Sequence, residues 1–180
     1  AKAEETEIND PNAVAVATSN KQNQPNVRMV LLKGLSDKGF VFYTNFNSKK
    51  GNELKENQKA SMCFHWKSLR RQVRAIGRVE EVSTKEADDY FNSRPYKNRI
   101  GAWASSQSKI LDKRETFLKN IKEYEKKYPD EKNVPRPPHW SGWRLLPDEI
   151  EFWLDGENRI HERLNYKKEK GKWEKELLYP

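Results

Sequence analysis

A single cysteine, Cys63, is the only thiol in 180 residues, so no disulfide can close within one chain. That usage fits a reducing compartment, and a cytoplasmic location is expected. No stretch approaches the roughly 18 apolar residues of a membrane helix, and no charged-then-apolar leader opens the chain, so no membrane partner is expected. A Gly-rich dinucleotide fingerprint, a P-loop and a nucleophile elbow are all missing. His65, His139 and His161 stand apart in sequence, and Cys63 with His65 offers only two ligands, so no metal site is expected. Apolar residues are scarce as well. They make up 34% of the chain, and Leu, Ile, Val and Phe number 36, near the level where disorder becomes conceivable.

Against disorder stand twenty large rings, six Trp, seven Tyr and seven Phe, each able to bury a large area. The expectation is one domain over 1–180 with a small aromatic-rich core, completed by a ligand or a second subunit. The net charge of +8 is uneven. Residues 1–10 carry net −3 and residues 150–180 balance, which leaves 27 bases against 16 acids, net +11, in the centre. Such a surface favours anions: nucleic acid, acidic lipid or small phosphorylated molecules.

Three short runs rich in β-formers open the chain: 13–18, 27–33 and 39–45. Ser36-Asp-Lys-Gly39 reads as the hairpin between the second and third. Residues 48–57 read as a short helix, and 60–66 and 71–82 as strands, with Gly77 marking a bulge. Ser83 and Glu86 form a capping box for a helix ending near Arg94, ahead of Pro95. Asp112 and Glu115 repeat that signal for a helix to Tyr128, whose apolar face carries Phe117, Ile121, Tyr124 and Tyr128. The prolines of 134–138 require an extended connector. Strands are then expected at 143–146, 149–154, 159–168 and 172–178, the last pair turning at Gly171. Strands, then helices, then strands predict a mainly β or α+β fold, an antiparallel barrel or sandwich with peripheral helices.

Arg159, His161 and Arg163 alternate on a predicted strand and so share a face, a binding face or an ordinary basic surface, while Ile160 and Leu164 turn to the core. Tyr90 and Arg94, four apart on a predicted helix, could both donate to a phosphate; taken alone, an aromatic packing residue beside a surface Arg explains them better. Arg28 and Lys33 have opposite parity, so they serve different groups unless the strand ends between them. Ser48-Lys49-Lys50-Gly51 at a helix start suits a phosphate, with a solvated Lys pair as the plain alternative.

Taken in order, Arg28-Met-Val-Leu-Leu-Lys33, Phe42-Tyr-Thr-Asn45, Arg71-Gln-Val73, Arg94-Pro95 with Ile100-Gly-Ala-Trp103 and Gln107-Ser108, Ile150-Glu-Phe-Trp153, Arg159-Ile-His161-Glu-Arg163 and Leu178-Tyr-Pro180 resemble the pyridoxine 5′-phosphate oxidase family from about residue 10 to the end. The resemblance implies an antiparallel split β-barrel with peripheral helices, a homodimer binding FMN at its subunit interface, with 134–180 as the strand-rich dimerisation part. It implies that Arg28, Met29, Val30, Leu31, Leu32, Lys33, Tyr43, Thr44, Ser48, Lys49, Lys50, Gln72, Gln107, Ser108, Trp153 and Arg163 border the flavin. By the same resemblance Lys33, Tyr90, Arg94 and Asn98 take the substrate phosphate, and Arg159 and His161 meet the pyridine ring and orient it for reaction. The implied reaction oxidises the 4′ carbon of pyridoxine or pyridoxamine 5′-phosphate to pyridoxal 5′-phosphate. Dioxygen is the acceptor, with hydrogen peroxide and, from the amine, ammonia as further products. FMN carries the redox chemistry, and the protein binds, orients and neutralises two phosphates.

Three departures accompany the likeness. Asn98 stands where the family usually has Ser, and its bulkier amide can still donate. Lys49 replaces a usual Arg, keeping charge but not the bidentate fork. The chain begins just ahead of the first strand, without the segment the family places there. The competing readings are a related split-barrel flavin oxidoreductase, or flavin or haem binder, with another substrate, and a basic nucleic-acid-binding module. The second phosphate pocket disfavours the former. Basic charge is the sole support for the latter, so no nucleic-acid partner is expected.

Overall fold

In the computed structural model, residues 2–180 are described, and they fall into two compact units. The first takes in the chain up to Phe42, then Glu53–Glu80 and Arg144–Pro180; the second takes in Tyr43–Asn52 and Glu81–Trp143. The elements in order are α1 (Lys2–Thr6), β1 (Ala13–Ser19), β2 (Pro25–Leu31), β3 (Gly34–Ser36), β4 (Gly39–Asn45), α2 (Lys49–Glu56), β5 (Lys59–Trp66) and β6 (Arg71–Glu81). There follow α3 (Thr84–Ser93), α4 (Tyr96–Ala104), α5 (Arg114–Lys127), β7 (Trp140–Leu154), β8 (Glu162–Glu169) and β9 (Lys172–Leu178). The strands form one sheet in the order β2-β1-β5-β6-β7-β4-β3, with β8 on β7 and β9 on β8. It is an antiparallel, curled, split-barrel-like sheet, and with the few helices the chain also forms the fold is α+β.

Alternation explains the first unit. Along β1, Val14, Val16 and Thr18 are buried while their neighbours are half exposed, the period of two expected of a strand with one wet face. β2 pairs with β1 from Ala13↔Leu31 to Ser19↔Pro25, and β5 pairs with β6 from Lys59↔Arg78 to Trp66↔Arg71. Phe42, Leu54, Met62, Ala75 and Leu145 are fully buried in this unit. Apolar side chains remain outside: Val27, Met29 and Leu31, on one face of the edge strand β2, are 64%, 63% and 38% exposed. In the second unit, Phe91, Ile100, Val134 and Trp140 form a core flanked by Tyr43, Tyr90, Trp103, Ile121 and Tyr124.

Several expectations need correction. The Ser36–Gly39 hairpin joins β4 to a short extra strand, β3, because β2 stops at Leu31. There Asn12 clamps the chain, its carbonyl accepting from Leu32 N at 2.8 Å and its amide donating to Leu32 O at 2.9 Å. Gly77 makes no bulge: its register with Ala60 is unbroken. It is needed because a Cβ there would collide with the Leu146 carbonyl oxygen. The two strands expected across 143–154 are one continuous strand, β7, which runs through Pro147. Helix α4 follows Pro95 directly and was not foreseen. Ser83 caps α3 as expected, accepting from Glu86 N at 3.2 Å. The cap of α5 is Lys113, and Asp112 instead accepts from the Thr116 hydroxyl at 3.0 Å.

Candidate active site

In the first unit, the chain leaving β7 folds back on itself before β8. Gly156 permits this, since a Cβ there would strike the Ile160 carbonyl oxygen. Asn158 and Arg159 both take positive φ, 53° and 65°, in a single 3₁₀ turn at Glu157–Arg159. Left-handed non-glycine residues cost roughly 1–3 kcal/mol each and gather where function holds them. The turn borders a cavity of about 530 Å³ lined by Arg70, Trp153, Asp155, Asn158, Arg159 and His161, among others. The imidazole of His161 lies against Trp153, with ring centres 4.6 Å apart. Its Nδ1 is 3.1 Å from Asp155 Oδ1 and 3.2 Å from Gly156 N. Asp155 also pairs with the Arg70 guanidinium.

This arrangement overturns the expectation that Arg159, His161 and Arg163 share the face of one strand. Only Arg163 lies in β8, and Ile160 is 69% exposed rather than core-facing. Arg159 and His161 still reach one cavity, through the turn. Arg163 turns elsewhere: its Nε and Nη2 meet the two oxygens of buried Glu151 at 2.9 and 3.1 Å, and its Nη1 donates to Tyr179 O at 2.9 Å. Arg74 shares that carboxylate. The bond from Arg163 holds Glu151 below the usual carboxylate range; burial opposes this, and Arg74 adds to it.

Arg28, half-buried on β2, donates to Val16 O at 3.1 Å, Thr18 Oγ1 at 2.5 Å and Glu53 Oε2 at 3.1 Å. Thr18 donates in turn to Glu53 at 2.5 Å. Burial pushes Glu53 up, but the bonds from Thr18 and Asn26 and the charge of Arg28 outweigh it, and the carboxyl sits below its ordinary value. On the same strand Met29 and Leu31 are exposed and Val30 is half-buried; Leu32 is half-buried beyond its end, and Lys33 is exposed. Gln72 Oε1 accepts from the Cys63 thiol at 3.1 Å, and burial raises that thiol above its ordinary value.

The second unit gathers two further clusters. Tyr43, Tyr90 and Trp140 form a stack, with Tyr43–Tyr90 and Tyr43–Trp140 ring centres 4.0 and 5.4 Å apart. The Arg94 guanidinium lies 4.7 Å above the Trp140 ring. Arg94 is the extended C-cap of α3, not a member of its last turn, so it does not share a helical face with Tyr90 as expected. Its Nη1 is buried with no hydrogen-bond partner among the described residues. Burial and then the Arg99 charge hold its pKa below the usual arginine range, against the pull of Tyr90. Asn98, in the first turn of α4, is exposed.

At the start of α2, buried Ser48 accepts from Gly51 N at 3.3 Å and donates to Asn45 O at 2.6 Å. The buried Lys50 ammonium lies 3.1 Å from Gln107 Oε1 and 3.4 Å from Ser48 Oγ. Thr44 donates to the same Gln107 oxygen at 3.2 Å. Thr44, Ser48, Lys50 and Gln107, distant in sequence, thus form one cluster at a helix N-terminus. Lys49 and Ser108 are exposed beside it in sequence, Ser108 with φ 70°. Sequence reading missed Arg70, Asp155, Glu53 and the partner role of Glu151. Each is an ordinary charged residue whose partner lies far along the chain, and only Glu151 fell within a recognised motif.

The model of the family described as pyridoxamine 5′-phosphate oxidase matches residues 1–128. A second, described as the pyridoxine 5′-phosphate oxidase C-terminal dimerisation region, matches residues 140–180. A pyridoxine/pyridoxamine 5′-phosphate oxidase from Pelagibacter ubique is 62% identical over 180 residues, covering 99% of this chain and 86% of that one. Its counterpart from Agrobacterium fabrum is 56% identical over 177 residues, covering 97% and 85%. Among solved structures, PhzG from Burkholderia lata, in complex with tetrahydrophenazine-1-carboxylic acid, superposes with a TM-score of 0.91 at 29% identity, covering 99% of this chain and 86% of that one. A pyridoxamine 5′-phosphate oxidase-related, FMN-binding protein from Nostoc punctiforme gives 0.75 at 16% identity, covering 94% and 88%, a likeness of fold alone.

Proposed function

Since the chain belongs to the pyridoxamine 5′-phosphate oxidase family, we propose that it oxidises pyridoxine or pyridoxamine 5′-phosphate to pyridoxal 5′-phosphate with dioxygen as acceptor. FMN, when bound, supplies the redox chemistry, accepting a hydride equivalent from the 4′ carbon and handing electrons to dioxygen. The observation that carries the reading is Arg94: a half-buried cation with a buried, unpartnered Nη1, beside the Tyr90 phenol, fits a ligand anion. In this reading Arg94, Tyr90 and Asn98 take the substrate phosphate, and Lys33 adds a further cation. Trp140 beneath Arg94 holds the guanidinium in place without neutralising it.

The cluster of Thr44, Ser48, Lys50 and Gln107 suits the anionic end of FMN, because a buried ammonium and a helix N-terminus both favour negative charge. Lys49 and Ser108 extend it. Arg28, Met29, Val30, Leu31, Leu32, Gln72, Trp153 and Arg163 complete the flavin contacts. Glu53 and Glu151 keep Arg28 and Arg163 fixed rather than free. Arg159 and His161 take the pyridine ring, and the tight turn that presents them sets its orientation. The dimerisation region and the exposed apolar face of β2 support a homodimer. Among the described residues no helix is long and apolar enough to cross a membrane, and a cytoplasmic enzyme is the reading proposed.

Steady-state assay of the FMN-loaded protein tests this. Pyridoxine 5′-phosphate is expected to give pyridoxal 5′-phosphate and hydrogen peroxide in equal amounts, and Arg159→Ala to keep its FMN while losing turnover. Absence of product from either substrate would overturn the activity; flavin loss with unaltered turnover per remaining flavin would move Arg159 to the cofactor.

A further inference from the structure

The last three residues, Leu178-Tyr-Pro180, hold none of the groups assigned to flavin or substrate, yet they touch one of them. Strand β9 ends at Leu178, whose partner across the ladder is Arg163. Pairing stops there, and Pro180 has no N–H to give a further rung. Proline also turns the residue before it away from helical geometry, which restricts the directions open to the Tyr179 carbonyl. That carbonyl accepts from Arg163 Nη1 at 2.9 Å, while Tyr179 as a whole is 92% exposed, so the contact is made through the backbone.

A guanidinium carries five N–H groups in a fixed plane. On Arg163, the Nε–H and one N–H of Nη2 go to the two oxygens of Glu151, and one N–H of Nη1 goes to Tyr179, outside that fork. One N–H remains on each Nη. Glu151 is a shared anchor, because Arg74 pairs with the same carboxylate, and the Arg163 side chain is 26% exposed to competing water. An acceptor outside the fork therefore fixes the guanidinium plane from a second side. Arg163 also stands opposite Trp153 across the β7–β8 ladder, so the two side chains leave one face of the sheet, and Trp153 lines the cavity. All these residues belong to the first unit.

We propose that the Tyr179 carbonyl, directed by Pro180, is a positioning group for Arg163: with Glu151 it pins the guanidinium beside Trp153 and leaves one N–H on each Nη for acceptor atoms of the flavin. The flavin contact of Arg163 rests on the proposed function; the pinning rests on the bonds above.

The test is a double-mutant cycle on flavin-free protein, read by FMN affinity from fluorescence quenching on titration with FMN, and by urea midpoints before FMN is added. A chain stopped after Leu178 is expected to bind FMN about 3- to 10-fold more weakly, the range for one hydrogen bond lost from a partly exposed charged group. In an Arg163→Met background, itself weakened, the same truncation is expected to change affinity by no more than about 2-fold, because the carbonyl has lost the group it acts through. A tail that merely props up the sheet would weaken FMN alike in both backgrounds, and that additivity overturns the proposal. Pro180→Gly keeps the carbonyl but frees its direction; it is expected to weaken FMN only where Arg163 is present, and it replaces the truncation if the shortened chain fails to fold. If Arg163→Met leaves FMN affinity unaltered while truncation and Arg163→Met stay coupled in the urea midpoint, the flavin assignment of Arg163 falls and the pinning stands.

Discussion

Burying part of a guanidinium without a carboxylate costs stability, and the chain accepts that cost at Arg94, where no acid is paired with it among the described residues. Removing it should therefore damage binding more than folding. Arg94→Ala is expected to raise KM for pyridoxine 5′-phosphate about 30- to 150-fold, the value of a lost charge-assisted bond of about 2–3 kcal/mol, with FMN content unchanged. Steady-state kinetics beside flavin absorbance checks this, and an unaltered KM would take Arg94 out of the phosphate site. At Glu151 the balance is reversed, because one buried carboxylate serves both Arg74 and Arg163. Glu151→Ala should cost about 2–3 kcal/mol in denaturant unfolding, less than a fully buried pair, since Arg74 is 42% exposed. Arg94, Arg159 and His161 stand in motifs that the sequence displays, and Tyr90 was picked out by its spacing of four from Arg94; the roles given to them are those proposed above. Asp155 and Arg70 were not picked out, since 85 positions separate two common charged residues and only the meeting of two loops joins them.

Among the elements, strands with strict alternation or clear turn residues were read to within a residue or two, as at β1, β4 and β9. Misreadings fell where tertiary contact overrides local preference. The strand expected from Arg159 begins only at Glu162, because the Gly156 turn and its His161 contact spend those residues on a cavity wall. Gly77 looked like a bulge because the approaching Leu146 carbonyl belongs to a strand nearly 70 residues later. Gly77→Ala is accordingly expected to destabilise by about 1–3 kcal/mol or more, as overpacking does, with a lower Tm and retained secondary structure; an unchanged Tm would mean the strands can part at no cost. Ser83→Ala, which removes only the α3 cap, should cost about 1 kcal/mol by the same measurement.

For the whole molecule, acid is the informative stress. Glu53 and Glu151 both sit below the ordinary value of 4.5 in the folded state. A depressed folded pKa gives stability that is present above the unfolded value and lost as pH falls through the folded one. Urea midpoints should therefore hold steady above about pH 5 and fall below it, with a shallower fall in Glu151→Gln. An identical acid slope in that variant would assign the loss to other groups. The central excess of positive charge, the clustered Lys50 and the Arg94 Nη1, without a hydrogen-bond partner among the described residues, all point to phosphorylated ligands. The most direct test of that account is the absorption spectrum of the FMN-reconstituted protein under anaerobic conditions, before and after pyridoxine 5′-phosphate is added. Bleaching of the flavin band, with recovery in air and formation of pyridoxal 5′-phosphate, is the result predicted. A band that stays oxidised with either B6 phosphate would contradict it.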